Sequence, residues 1–241
     1  MENQDRMREI TLRVHRFDPE KDEAPYFQEY PLSVVPGSSL LDALLQVQDT
    51  QDSSLTFRRS CRSAICGSCG VRANSVAVLA CHTPIEDLLE GGKPIVVEPL
   101  GNLRVIKDLV VDMAPFFERV KRVQPWLVPR EPELPLDREN LVFPDEDYQK
   151  LHQTIDNCIL CGLCHSDCPV LREDQRFIGP GGVVKSYRFI LDARDALRTA
   201  RRHQLISLGL HQCSDPENCP VRCPKGISLG REVMRPLRPE K

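Results

Sequence analysis

The stretch Asn157-Cys158-Ile159-Leu160-Cys161-Gly162-Leu163-Cys164-His165-Ser166-Asp167-Cys168-Pro169 narrows most what this chain can be. It reads C-x2-C-x2-C-x3-C-P, the register in which thiolates one turn apart wrap a cubic iron-sulfur cluster. Two-residue spacers let successive sulfurs converge on one cube. Gly162 permits the tight backbone approach that brings amide donors towards cluster sulfur. The fourth cysteine of such a run serves the other cluster of a pair, so a partner motif is expected. It is found at Cys213 to Pro224.

An earlier group, Cys61-x4-Cys66-x2-Cys69-x11-Cys81, opens with the spacing of a 2Fe-2S loop, and four thiolates suit two irons. Gly67 and Gly70 give its backbone freedom, and Arg58, Arg59 and Arg62 can offset the negative charge of a thiolate-bound cluster. Tetrahedral zinc is the rival occupant, although C-x4-C-x2-C is not the paired-CxxC pattern of zinc ribbons. The two later motifs interleave, each lending its last cysteine to the other's cluster. Cys158, Cys161, Cys164 and Cys223 are therefore expected to hold a 4Fe-4S cluster. In the second motif Pro216 stands where the central ligand belongs. That leaves three thiolates, Cys168, Cys213 and Cys219, and a cube with one unligated corner tends to become 3Fe-4S. Four, four and three account for all eleven cysteines, with a buried structural thiol as the bland alternative for any one of them. His82 and His165 adjoin ligand cysteines and read as surface or hydrogen-bonding side chains. His15, His152, His203 and His211 carry no spacing signal.

Eleven cysteines behind a polar, acidic start, Met1-Glu2-Asn3-Gln4-Asp5, argue for metal ligation rather than disulfides, because that start lacks the order of a secretory signal. No apolar run approaches the ~20 residues that span a bilayer. The net charge of −3 is uneven: residues 1–144 hold 17 Lys+Arg against 22 Asp+Glu, and residues 176–241 hold 13 against 6. The basic end suits nucleic acid, anionic lipid or an acidic partner, or is simply a solvated surface. Neither zinc-ribbon spacing nor aromatic stacking platforms support a nucleic-acid module.

Ile10 to Phe17 alternates apolar and polar residues as a half-buried strand does, and Phe27 to Val34 reads as its antiparallel partner. Pro36-Gly37 turns the chain, Ser38 or Ser39 caps, and Leu40, Leu41, Leu44, Leu45 and Val47 give a helical apolar face. Leu55 to Ser60 leads into the first cysteine loop, Val71 to Ala80 reads as extended, and Pro94 and Pro99 bound a short strand. An α+β domain, residues 1–106, is expected. Val105, Ile106, Leu109, Val110, Met113 and Phe117 then recur at helical spacing, which predicts a connecting helix despite Pro115. Prolines at 125, 129, 132, 135 and 144 predict an irregular strap over about 123–144. Tyr148, Leu151 and Ile155 predict a helix entering the cubic-cluster motif, and Val183 to Ala200 a longer one. Residues 107–241 are thus expected to form a helical domain.

A 2Fe-2S loop followed by interleaved 4Fe-4S and 3Fe-4S motifs resembles the iron-sulfur subunit of the succinate dehydrogenase and fumarate reductase family. Arg59-Ser60-Cys61-Arg62-Ser63-Ala64-Ile65-Cys66-Gly67-Ser68-Cys69-Gly70, Leu79-Ala80-Cys81, Asp108 to Met113, Phe177-Ile178-Gly179-Pro180 and Cys223-Pro224-Lys225-Gly226 are similar to its segments. The resemblance runs over about residues 10 to 226. It implies an N-terminal β-grasp plant-type ferredoxin domain followed by an all-α bacterial-ferredoxin-like domain. It implies an electron relay between the flavin of an FAD-containing flavoprotein subunit and membrane quinone. The clusters would lie in the order 2Fe-2S, 4Fe-4S, 3Fe-4S, and the integral membrane anchor would hold quinone, with haem b as an option. It places such a chain as a peripheral membrane protein on the cytoplasmic face of the bacterial inner membrane. Many ubiquinone-linked members have a tryptophan pair after the Cys-Pro that is Cys168-Pro169 here, and histidine where this chain has Ser214; Val170-Leu171-Arg172-Glu173-Asp174 departs from that pattern. The quinone-binding residues are therefore not carried over. Menaquinone, the fumarate-reductase direction and a subunit of another flavin-dependent oxidoreductase stay open.

Overall fold

The computed structural model describes residues 7–130 and 145–238, so the 131–144 part of the expected strap, with Pro132, Pro135 and Pro144, lies outside the described residues. The chain divides into two compact units: Met1–Met113 with Cys161–Asp167, and Ala114–Leu160 with Cys168–Lys241.

In the first unit, β1 (Arg8–Arg16) and β2 (Tyr26–Val34) form the expected antiparallel hairpin, with Leu12 opposite Tyr30. Helix α1 (Leu40–Thr50) follows. Ser39 and Asp42 close a capping box, each side chain accepting from the other's backbone N–H, and Leu40, Leu41, Ala43, Leu44 and Val47 are buried. The region expected to be extended over 71–80 is a tight hairpin, β3 (Gly70–Ala73) and β4 (Val76–Leu79). Its two turn residues, Asn74 and Ser75, both have positive φ, the geometry that matches strand twist in a two-residue loop. β5 (Ile95–Glu98) runs parallel to β1 and is central, giving the order β2-β1-β5-β3-β4. Pro94 and Pro99 sit just outside that strand, where no ladder donor is lost. Five strands in this order with α1 packed on β2 make the β-grasp domain.

The helix expected over 105–117 does not form. The chain instead makes β6 (Val105–Lys107) and β7 (Val110–Val111), and α2 begins only at Ala114 (Ala114–Arg122). Leu109 and Val111 are buried, so the apolar positions that fit a helical period also serve a turn between two short strands. What decides is Asp108, at φ 45, whose buried carboxylate accepts from Arg16 Nε, Phe17 N and Thr56 N. Pro115 is the second residue of α2, where its missing N–H costs nothing.

The second unit is helical. After α2 come α3 (Glu146–Gln153) and a 3-10 turn, Ile155–Asn157, which lead into the cysteine run as expected. Cys161–Asp167, with the single turn α4 (Leu163–Ser166), groups with the first unit. The second unit resumes with α5 (Pro169–Glu173), α6 (Gly179–Leu191) and α7 (Arg198–Ser207). α6 is its central helix, buried along most of its length and flanked by α2, α3 and α7. A Cβ on Gly181 would meet the Phe116 ring at 2.6 Å, so glycine here admits the α2–α6 approach. The long helix expected over 183–200 is broken at Asp192–Leu197. Asp192 accepts from Arg194 N and Asp195 from Leu197 N, and these local bonds compete with helix continuation. Pro129 bridges to Asp195, and Val123 to Arg130 are irregular, as the strap's described part should be.

Candidate iron-sulfur centres

Among the described residues no disulfide joins any of the eleven cysteines. In the first unit, the Cys61 loop winds through positive φ at Arg62, Ala64 and Gly67, which turns successive amides inward to form a concave anion site. Ser63 N, Ile65 N and Cys66 N each lie 3.3 Å from Cys61 Sγ, and Ala64 N lies 3.4 Å from Cys81 Sγ. Cys61 N reaches Cys66 Sγ at 3.5 Å, and the Ser68 hydroxyl stands 3.0 Å from the same sulfur. That hydroxyl, helped by the Cys61 amide, draws the Cys66 thiol down to about 6. Burial pushes Cys69 up to about 12, with Cys81 and Cys66 close enough to add to the rise. Cys61, Cys66, Cys69 and Cys81 are thus together at one end of β3–β4.

Such a donor set fits a cluster. Thiols that share a loop resist joint ionisation until iron neutralises them, and amides aimed at sulfur stabilise the charge that remains. Among the described residues no three His, Cys, Asp or Glu side chains converge as the ligands of a single ion do. Sulfur ligands placed around several irons stand further apart than that. Arg59 is not turned to sulfur: it donates to Gln48 Oε1 at 2.8 Å and lies over the Phe57 ring. His82 is exposed and His165 buried.

In the second unit, Cys168 opens α5, and burial pushes its thiol up to about 11. The Leu171 and Val170 amides oppose that rise, while Cys213 and Cys219 stand close enough to add to it. Cys168, Cys213 and Cys219 are therefore neighbours. Pro216 is buried between the last two in sequence, and a Cβ on Gly230 would meet its carbonyl oxygen at 1.7 Å, so glycine is required there. Cys158 and Cys223 are also near each other; burial raises Cys158 and the Lys185 ammonium, whose Nζ lies 3.1 Å from the Cys158 carbonyl, opposes it. Lys225 N lies 3.4 Å from Cys223 Sγ. Cys161 and Cys164 belong to the Cys161–Asp167 segment of the first unit. The Ser68 hydroxyl and the Asp167 carboxylate were not singled out in the sequence, because serine and aspartate in cysteine loops are too common to signal a role.

Residues 11–118 match the family described as a 2Fe-2S iron-sulfur cluster binding domain, and residues 154–227 match the 4Fe-4S dicluster domain. The chain is 36% identical over 227 residues to the mitochondrial succinate dehydrogenase (ubiquinone) iron-sulfur subunit of Candida glabrata, covering 92% of this chain and 88% of that one. It is 37% identical over 236 residues to the fumarate reductase iron-sulfur subunit of Mycobacterium tuberculosis, covering 95% and 92%. Among solved structures it is similar to a chain of the Mycobacterium smegmatis Sdh1 complex in the apo form, with TM-score 0.83, 26% identity, and coverage of 96% and 95%.

Proposed function

The chain belongs to the iron-sulfur subunits of the succinate dehydrogenase and fumarate reductase family, and on that footing we propose that it passes electrons between a flavoprotein's flavin and membrane quinone. The bound clusters supply one-electron chemistry. This chain's part is to ligate, space and electrostatically tune them, while bond-making on succinate or fumarate belongs to the flavoprotein. Cys61, Cys66, Cys69 and Cys81 hold 2Fe-2S; Cys158, Cys161, Cys164 and Cys223 hold 4Fe-4S; Cys168, Cys213 and Cys219 hold 3Fe-4S. Residues 1–106 act as the 2Fe-2S module and residues 107–241 as the module carrying the other two.

The observation that most supports this reading is the amide-lined four-thiol loop, to which the second unit adds three neighbouring thiols in a motif with Pro216 at the central-ligand spacing. Partners are an FAD-containing subunit and an integral membrane anchor. No described helix is long and apolar enough to cross a membrane, which suits a peripheral subunit on the cytoplasmic face of the bacterial inner membrane. The acidic part, 1–144, faces the flavoprotein and the basic end the anchor. The fumarate-reductase direction is the second reading, favoured by the absence of the tryptophan pair after Pro169. Purified complex is expected to show a reduced-state 2Fe-2S paramagnetic signal and an oxidised-state 3Fe-4S signal, with both partner subunits present. Zinc in place of iron, or no flavoprotein, would overturn the proposal.

A further inference from the structure

Electron tunnelling weakens steeply with distance, so the approach between two cluster-bearing loops must be held by something. In the first unit that approach is at Gly67, between Cys66 and Cys69. A Cβ there would stand 2.6 Å from Cys161 Cβ and 2.8 Å from its Cα, closer than real side-chain carbons come. Only glycine, at φ +72, lets the Cys161 backbone sit on the Cys61 loop. Gly70 likewise receives Leu163.

Contact of this kind does not hold itself, because Cys161–Asp167 has a single turn of helix and no strand pairing. Its last residue supplies an anchor. Asp167 Oδ2 accepts from Ala77 N on β4 at 2.8 Å, and Oδ1 accepts from the Ser166 hydroxyl at 3.0 Å. Arg72 Nε on β3 faces Oδ1 at 3.3 Å as an ion pair rather than an aligned hydrogen bond. The segment is tied elsewhere by Gly101 N to Ser166 Oγ at 2.8 Å and by Asn102 Nδ2 to the His165 and Ser166 carbonyls. β3–β4 is the hairpin whose cysteine-bearing end carries Cys69 and Cys81, so Asp167 fixes Cys161 to the frame that fixes the 2Fe-2S thiolates.

We propose that Asp167 is a positioning residue for the electron step between the centre on the Cys61 loop and the centre that Cys161 serves. Its carboxylate, anchored on Ala77 and Arg72, keeps Cys161 seated on Gly67. One electron leaves the reduced first centre and enters the oxidised second; no proton moves and no co-reactant is needed. This rests on the cluster assignment proposed above.

The test uses the assembled complex carrying Asp167→Ala or Asp167→Asn. Iron and sulfide content should be unchanged. In Asp167→Ala the reduced 2Fe-2S signal should saturate at lower microwave power, reporting a more distant paramagnetic neighbour. Photochemically triggered transfer between the centres should slow by about tenfold or more, the scale on which small misplacements act. Asp167→Asn, which keeps an acceptor for Ala77 N, should fall between wild type and Asp167→Ala. Full cluster content with wild-type saturation and rate in Asp167→Ala overturns the proposal. Should that variant not accumulate, Arg72→Gln is expected to shift both readouts the same way by less, and an unchanged result there overturns it equally. A wild-type complex lacking either signal would bring down the cluster assignment, and this inference with it.

Discussion

Arg16 shows how far a residue's role can lie from its place in a pattern. Ile10, Leu12, Val14 and Arg16 all face inward on β1, so the side chain that ends the buried row is a guanidinium. It bonds Asp108 at 3.0 Å, Ser54 at 2.9 Å, Gln28 at 3.3 Å, and Asp52 and Tyr30 besides. Burial opposes its charge, but Asp108 and Asp52 more than offset that and raise its pKa. Asp108→Ala would leave this buried cation short of its main anion and is expected to destabilise the chain by about 3–5 kcal/mol, read from the denaturant midpoint. A drop below half that figure would show that Asp52 suffices. The cysteines were legible because their spacing is itself the chemistry. Arg16, Asp108 and Ser68 were not, because their partners are 92, 92 and two residues away and only folding or loop geometry names them. Ser68→Ala removes the hydroxyl 3.0 Å from Cys66 Sγ. A donor to sulfur favours the more negative, reduced cluster, so a redox titration followed by paramagnetic resonance should find the 2Fe-2S potential lowered, and an unchanged potential would exclude Ser68 from tuning.

Elements whose pattern has one solution are legible in the sequence: the β1–β2 hairpin from period-two alternation, α1 from its cap and apolar face, β5 from its bounding prolines. Elements decided by a turn are not. Over 105–117 and 183–200 the apolar spacing allows a helix, and in both places buried aspartates decide against it, Asp108 by accepting from the distant Thr56 amide and Asp192 and Asp195 by accepting from amides two residues on. Asp192, 2% exposed, is penalised by burial, yet Arg194 and Arg188 hold its carboxyl well below the ordinary range. The folded pKa lies below the unfolded value of about 3.9, so this contribution is complete above about pH 4 and is lost as pH falls. Asp195, paired with buried Arg201, shifts the same way. Urea midpoints of Asp192→Asn should be lower than wild type at pH 6, with the gap closing towards pH 3. A constant gap would mean that Asp192 acts through shape rather than charge.

At the scale of the molecule, the relay is proposed as separable parts. Cys61, Cys66, Cys69 and Cys81 all belong to the first unit, and Cys168, Cys213 and Cys219 to the second. Cys69→Ser should therefore remove or retune the 2Fe-2S signal and leave the 3Fe-4S signal intact; loss of both from a folded chain would contradict their independence. Pro216→Cys is the reciprocal experiment. Position 216 is buried, and its backbone is fixed against Gly230, so a thiol introduced there starts from a held position beside Cys213 and Cys219 in the chain. Cysteine adopts the φ that proline imposes, so the loop keeps its course. With a fourth ligand available, the three-iron centre should convert at least partly to four irons and its oxidised-state signal should fall. Its potential should drop as well, because another thiolate adds negative charge. On the proposed path, delivery to quinone then becomes less favourable, so turnover with succinate should slow while the Cys61-loop signal keeps its wild-type shape. A folded variant with an undiminished 3Fe-4S signal would show either that residue 216 does not face the open corner or that Cys168, Cys213 and Cys219 do not share one centre.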